Sequence, residues 1–250
     1  MTDNIPQEQV LSEEEEMASL LENLPAETEI DVVVPSRGLP YFGKEGTVRI
    51  RPMTFDDEKA IMTGKRAEEF NAANYLLSRC LTNLDIDRVV LIDKLYLLLK
   101  LREISYGNDY SAAAVCGHCE YENKLNIQIN QLTVTEVPEE VDIFARKVHL
   151  AKLKKDAVIS TPIVADERYL QPENIQNNLW RFIKKIGDCE NPTIIAKVIK
   201  KLPLADLHTL INKISLSEFG VQPQIKYVCN SCKETNLINL PINENFFSVS

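Results

Sequence analysis

Six cysteines stand in the chain: Cys80, Cys116, Cys119, Cys189, Cys229 and Cys232. Four of them form two C-x-x-C pairs, Val115-Cys116-Gly117-His118-Cys119 and Val228-Cys229-Asn230-Ser231-Cys232. A C-x-x-C turn brings two thiolates to one tetrahedral metal, and two such turns flanked by strands complete a four-cysteine site. Soft thiolates in that geometry favour zinc, with iron as the impostor on expression. The pairs lie 113 residues apart, far beyond the usual ribbon spacing of about 15–20 residues. A shared site would therefore be a long-range clamp. A closed set of four thiolates leaves no open coordination position, so it predicts folding rather than hydrolysis.

Three other chemistries compete for the same cysteines. A redox pair wants a strand before the first cysteine and a helix after the second. Here apolar alternation continues after the second cysteine, which suits a ribbon. Two disulfides are a second reading. The N-terminus lacks the basic and apolar regions of a signal peptide, which points to reduced thiols. Third, the cysteines could be plain core after loss of the metal. His118 faces Ser231 in the other pair and is expected to point outward. Cys80 and Cys189 fall on helices or their ends, where cysteine behaves as a small apolar residue.

Other catalytic or phosphate-binding signals are missing. There is no G-x-S-x-G, H-E-x-x-H, Walker loop or G-x-G-x-x-G. None of the three histidines pairs with a nucleophile in the sequence. Asp56-Asp57 suits the first turn of a helix, where acids favour the macrodipole.

The surroundings of the two pairs superimpose at an offset of 113 without a gap. Asp93 matches Asp206, Tyr106-Gly107 matches Phe219-Gly220, and Asn123 matches Asn236. Leu125, Ile127 and Ile129 match Ile238, Leu240 and Ile242. This reads as an internal duplication. Each copy runs helix, glycine stop, strand, C-x-x-C turn, strand. The first helix, Leu91–Ser105, is apolar on nearly every side, as a buried helix should be. The second carries Leu204, Leu207, Leu210, Ile211 and Ile214 on one face. Further helices are expected over Thr54–Thr63, Ala67–Leu84, Glu173–Ile186 and Thr193–Leu202. Strands are expected over Asp31–Pro35, Thr47–Arg51, Val141–Leu153 and Val158–Val164. The copies should join near Leu132–Glu140.

At 44% hydrophobic and 26% charged, the 250-residue chain can bury a core and is not disordered throughout. No apolar run is long enough to span a membrane. The net charge of −9 sits entirely in residues 1–30, which hold nine acids and no Lys or Arg. The remainder is neutral, so no nucleic-acid or membrane surface is expected. Arg146–Lys213 is locally basic, with thirteen basic and seven acidic residues. In the acidic arm, Ser12-Glu13-Glu14-Glu15 is a capping box. Met17, Leu20, Leu21 and Leu24 then form an apolar stripe ended by Pro25. So short a helix is marginal alone and needs to dock, either on its own body or on a partner.

Several segments carry a family resemblance. Val34-Pro35-Ser36-Arg37-Gly38-Leu39-Pro40-Tyr41 leads into Val48-Arg49-Ile50-Arg51-Pro52-Met53-Thr54. Asp57-Glu58-Lys59, then Leu101-Arg102-Glu103-Ile104-Ser105-Tyr106-Gly107 and the two knuckles follow. Over residues 31–250 this resembles contractile-tailed bacteriophage proteins of the T-even baseplate hub type, the hub subunits and hub assembly chaperones. The resemblance implies a non-enzymatic structural or chaperone role in the tail baseplate. Its partners would be other tail proteins such as the hub or the tape measure. It would act in the host bacterial cytoplasm during assembly or in the virion tail.

The expectation is thus an α+β protein of two duplicated helical lobes, each ending in a β-hairpin with a C-x-x-C knuckle. The knuckles pair into a zinc-ribbon-like site of Cys116, Cys119, Cys229 and Cys232 holding structural Zn2+. Residues 1–30 form the arm, 31–135 the first repeat and 136–250 the second. Met17, Leu20, Leu21 and Leu24 are the candidate partner-binding residues. The alternatives are a zinc-ribbon module for nucleic acid and a thiol-redox protein. The charges beside the knuckles (Glu120, Glu122, Lys124; Lys226, Lys233, Glu234) make no basic stripe, which weakens the nucleic-acid alternative.

Overall fold

The computed structural model describes residues 12–21, 29–62, 72–215, 218–242 and 244–247. Helices and short antiparallel strands alternate along the chain. Among the described residues no helix is long and apolar enough to cross a membrane.

The first part opens with a hairpin of Ile30–Val32 and Val48–Ile50. Three helices follow, Phe55–Met62, Ala72–Cys80 and Leu91–Tyr106, and then a second hairpin of Asp109–Val115 and Glu122–Gln128. The first of these helices starts where Thr54 donates its N–H and its hydroxyl to Asp57, both at 2.9 Å. Asp57 has no exposed side-chain surface and also receives Arg51 and Arg79. It is therefore a buried ionic junction rather than a dipole-facing surface acid. Its carboxyl lies well below the usual range: burial opposes ionisation, and the Arg51, Thr54 and Arg79 donors outweigh it. The second helix is shorter than Ala67–Leu84. It ends at Cys80, because Leu81 leaves to bridge Ile50 of the opening hairpin; residues 63–71 lie outside those described. The long helix stops at Gly107, whose positive φ of 86° lets its N–H cap the Glu103 carbonyl.

The second part opens with a hairpin of Arg146–Leu150 and Lys155–Ile159, and Ile183–Ile186 adds a third strand. Helices Pro192–Ile199 and Leu204–Ser215 lead, through the short strand Gly220–Val221, to a hairpin of Gln224–Val228 and Thr235–Asn239. Asn191 caps the first of these helices, accepting from the N–H groups of Thr193 and Ile194. A single helix over Glu173–Ile186 is not what forms. Helical turns occupy Ile175–Asn178 and Leu179–Phe182, and the chain then extends. Ile183 and Ile186, three apart, mimic a helical stripe. They are buried instead by pairing with Ile159 and Ala157. Cys189 accordingly lies in the turn bridged to Ile186, not on a helix end.

Asp93 and Asp206 hold corresponding places in the two parts. Each is buried in the first turn of the long helix preceding the knuckle. Asp93 accepts the Ser36 N–H at 2.8 Å; Asp206 accepts the Leu153 and Lys152 N–H groups at 2.7 and 3.0 Å. In both cases the donors lie in the loop of that part's opening hairpin. The residue after Ser36, Arg37, and the residue after Leu153, Lys154, both have positive φ, at 60° and 55°. Asp93 also receives the Ser36 hydroxyl and the Tyr41 hydroxyl. Burial raises its pKa to about 6 against the pull of these donors.

Two apolar clusters carry most of the core. One gathers Ile50, Leu77, Leu97 and Leu101 with Val221, Leu240 and Phe246 from the far end of the chain. The other lies within the second part, around Leu150, Ile159, Leu179 and Leu210. The last hairpin and the C-terminal phenylalanines thus join the first part's core. The expected junction is not a free linker. Val134–Thr135 pairs with Gly220–Val221, and the Val137 N–H reaches the Pro35 carbonyl. A Cβ on Gly220 would lie 2.6 Å from the Ile92 carbonyl oxygen, so the close approach there requires glycine.

Candidate metal centre

Each C-x-x-C pair sits at the tip of a hairpin, and the two tips are built alike. The Cys116 N–H bonds the Tyr121 carbonyl, and the Glu120 N–H bonds the Cys116 carbonyl. The Cys229 N–H bonds the Glu234 carbonyl, and the Lys233 N–H bonds the Cys229 carbonyl. Glu120 and Lys233 turn the chain with φ of 58° and 64°. These tight turns aim both sulfurs of a pair to one side.

The tips meet. All four Sγ atoms lie within 4.8 Å of one another. Two close contacts cross between hairpins: Cys116 to Cys232 at 3.6 Å and Cys119 to Cys229 at 3.7 Å. Cys116 and Cys229 are buried, Cys232 is partly exposed and Cys119 is exposed. The centre therefore lies just beneath the surface.

Two asparagines brace it reciprocally. Asn123 donates to Cys229 Sγ at 3.6 Å and accepts the Asn230 N–H at 2.8 Å. Asn236 donates to Cys116 Sγ at 3.4 Å and accepts the Gly117 N–H at 3.0 Å. Each asparagine reaches over to the opposite hairpin. They matched at the offset of 113, and that match was the available signal for this role. Tyr227 adds a bond without a counterpart, donating to the Val115 carbonyl at 3.2 Å.

The electrostatics follow from this crowding. Burial opposes ionisation of Cys229, but the N–H groups of Cys232 and Ser231, with Asn123 and Cys119, hold its pKa down at about 6. Cys116 is lowered in the same way: burial resists, and the His118 and Cys119 N–H groups and Asn236 prevail. At Cys232 the Glu234 N–H favours the thiolate, yet burial and the other three sulfurs push the thiol up to about 12. Some of the four ionise readily while the last resists, unless a cation neutralises the set. The four cysteines lie close together and could hold a metal ion.

None of the cysteines is disulfide-bonded. A strand, not a helix, follows each pair, which is not the arrangement a thioredoxin-like redox turn uses. His118 is exposed, as its mismatch with Ser231 implied. His149 lies 2.7 Å from Asp156, but both are exposed cross-strand partners of the Arg146–Leu150 hairpin. Among the described residues, no Ser, Thr or Cys side chain hydrogen-bonds that imidazole.

The candidate partner-binding residues lie far along the chain from the centre. The helix Glu13–Leu21 forms with Ser12 as its cap: Ser12 donates N–H and hydroxyl to Glu15, and its hydroxyl accepts the Glu15 N–H. Residues 12–19 are all exposed, Met17 to 57%. Leu20 and Leu21 belong to this helix by backbone, and Leu24 lies outside the described residues.

Over residues 26–247 the chain matches the model of the family described as T4 bacteriophage base plate protein. The chain belongs to that family. It is a structural baseplate protein of a T4-like phage, and membership of this family points to interaction with other phage tail proteins. No curated protein and no solved structure matches it.

Proposed function

We propose that this baseplate protein works at the hub, as a structural subunit or as the chaperone that assembles it, and that zinc on Cys116, Cys119, Cys229 and Cys232 locks its shape. The reading is non-enzymatic: the molecule presents surfaces to hub or tape-measure proteins, and the metal supplies folding energy. The observation that carries the zinc assignment is the crossed sulfur geometry. A tetrahedral site with Zn–S bonds of about 2.3 Å has sulfurs about 3.8 Å apart, and two cross-hairpin pairs lie at 3.6 and 3.7 Å. The asparagine donors are the outer-shell partners such a site uses to orient its ligands.

In the same reading, residues 31–135 and 136–250 are two copies of one unit. The matching places of Asp93 and Asp206, and of Asn123 and Asn236, support it. Residues 1–30 are an acidic arm whose Met17, Leu20, Leu21 and Leu24 engage a neighbouring tail protein. The exposure of residues 12–19 leaves that helix free to do so.

Two measurements test the proposal together. Elemental analysis and native mass spectrometry of protein purified without added metal should find one zinc per chain. Quantitative mass spectrometry of purified tails and of baseplate intermediates then separates the roles. A fixed stoichiometry in finished tails marks a subunit, and presence only in intermediates marks a chaperone. No zinc would overturn the metal assignment. Absence from both tails and intermediates would overturn the hub role.

A further inference from the structure

The two knuckle hairpins are separate two-stranded sheets. Among the described residues, strand Glu122–Gln128 pairs only with Asp109–Val115, and strand Gln224–Val228 pairs only with Thr235–Asn239. The free edges of these two strands border the same cleft, with a volume of about 410 Å³. Consecutive residues line it on both sides, 124–128 and 224–228. A hollow on a sheet face would be lined by every second residue, because successive side chains alternate between faces. Consecutive lining places the hollow along the edges themselves.

The cleft is closed at both ends. At one end the Gln222 N–H bonds the Thr133 carbonyl at 2.8 Å. At the other the Asn230 N–H bonds the Asn123 side chain at 2.8 Å. One strand runs away from the metal centre and the other toward it, so the two edges are antiparallel. Between the closures, among the described residues, no main-chain hydrogen bond joins the five residues of one side to the five of the other; the Tyr227 hydroxyl bonds the Val115 carbonyl of the other hairpin through its side chain. At about 3.3 Å per residue that edge is roughly 16 Å long.

We propose that this slot receives an extended, acidic peptide segment of another tail protein, which adds a strand between the two hairpins. Main-chain donors and acceptors on both edges select an extended guest, as in strand addition to an open sheet edge. The charge of the lining selects its side chains. Lys124 and Lys226 are both exposed, neither forms an ion pair among the described residues, and the lining contains no Asp or Glu. With the guest in place, Asp109–Val115, Glu122–Gln128, the guest, Gln224–Val228 and Thr235–Asn239 become one five-stranded sheet. The guest runs antiparallel to one neighbour and parallel to the other. The proposal adds a receiving site to the family role and does not depend on the zinc assignment.

The test uses the full chain as purified, with its metal content measured on the same sample. The probe is an acetylated, amidated heptapeptide of alternating Val and Glu. Two controls replace Glu by Lys, or N-methylate alternate backbone nitrogens. Amide hydrogen exchange should show protection of residues 122–128 and 224–228 together, rising at least about tenfold at saturation. In fluorescence anisotropy, the Lys124→Glu/Lys226→Glu variant should bind at least about tenfold more weakly, and both control peptides should fail. No protection by the acidic peptide, protection of one strand alone, or equal binding of either control overturns the slot. Loss of binding in a sample that still holds its metal counts against the slot and leaves the zinc assignment standing.

Discussion

If one metal is shared across the hairpins, removing either knuckle must remove all of its stabilisation. The perturbation is a cycle of four proteins: the parent, Cys116→Ser/Cys119→Ser, Cys229→Ser/Cys232→Ser, and the fourfold variant. The magnitude follows from the loop the clamp closes. Cys119 and Cys229, 3.7 Å apart in space, are 110 residues apart in sequence. Cross-linking a loop of that length removes unfolded-state entropy equivalent to about 5 kcal/mol at 25 °C in the chain-entropy picture. At roughly 5 kcal/mol per molar guanidinium, each two-cysteine variant should lose about 1 M of its midpoint. The fourfold variant should lose no more, so the coupling between knuckles equals nearly the whole effect. The assay is chemical denaturation by circular dichroism, with metal content determined for each protein. Additive losses, or half the metal remaining in a two-cysteine variant, would refute a shared centre and show two independent ones.

The remaining predictions concern groups around the core. Asn123→Ala and Asn236→Ala should each weaken metal binding by about 10–100-fold. Their reciprocal places predict similar losses, read by competition with a chromogenic chelator; a loss confined to one would break the equivalence. Asp93 predicts a pH effect. Its folded pKa of about 6 exceeds the unfolded value of about 3.9. Its stabilising contribution is therefore full below about pH 4 and is lost as pH rises through about 6. The stability of the parent relative to Asp93→Asn should accordingly increase from pH 7 to pH 4.5 in denaturant midpoints. A pH-independent difference would mean that the carboxyl is not raised by burial.

The cluster of four cysteines was legible because its signal is local and occurs twice. Spacing supplied the four cysteines, and the offset of 113 supplied their partnership. The same offset contained Asn123 with Asn236 and Asp93 with Asp206, but not what they do. Asn123 acts on Cys229 and Asp93 acts on Ser36, contacts made only after folding. The long helix and its glycine stop were readable within a residue, since propensity and cap agree there. The segment Glu173–Ile186 was not. Ile183 and Ile186 satisfy a helical period as well as a strand, and the deciding partner, Ile159, lies 24 residues earlier. Asp57 looked like an ordinary first-turn acid because Arg51 and Arg79 come from different segments. The strand-edge slot has no sequence signature, since it is a gap between two hairpins rather than a run of residues.

The crossed sulfur contacts also set a timetable. Neither hairpin alone has four ligands, so the first knuckle waits for 110 further residues before Cys119 meets Cys229. At about 5–20 residues per second of synthesis, that wait is roughly 6–20 seconds. Throughout it Cys116 and Cys119 lack half of their centre. A nascent chain stopped anywhere before Cys229 carries the first knuckle without its partner, so uptake of a metal shared by all four cysteines would mark a molecule translated past Cys232.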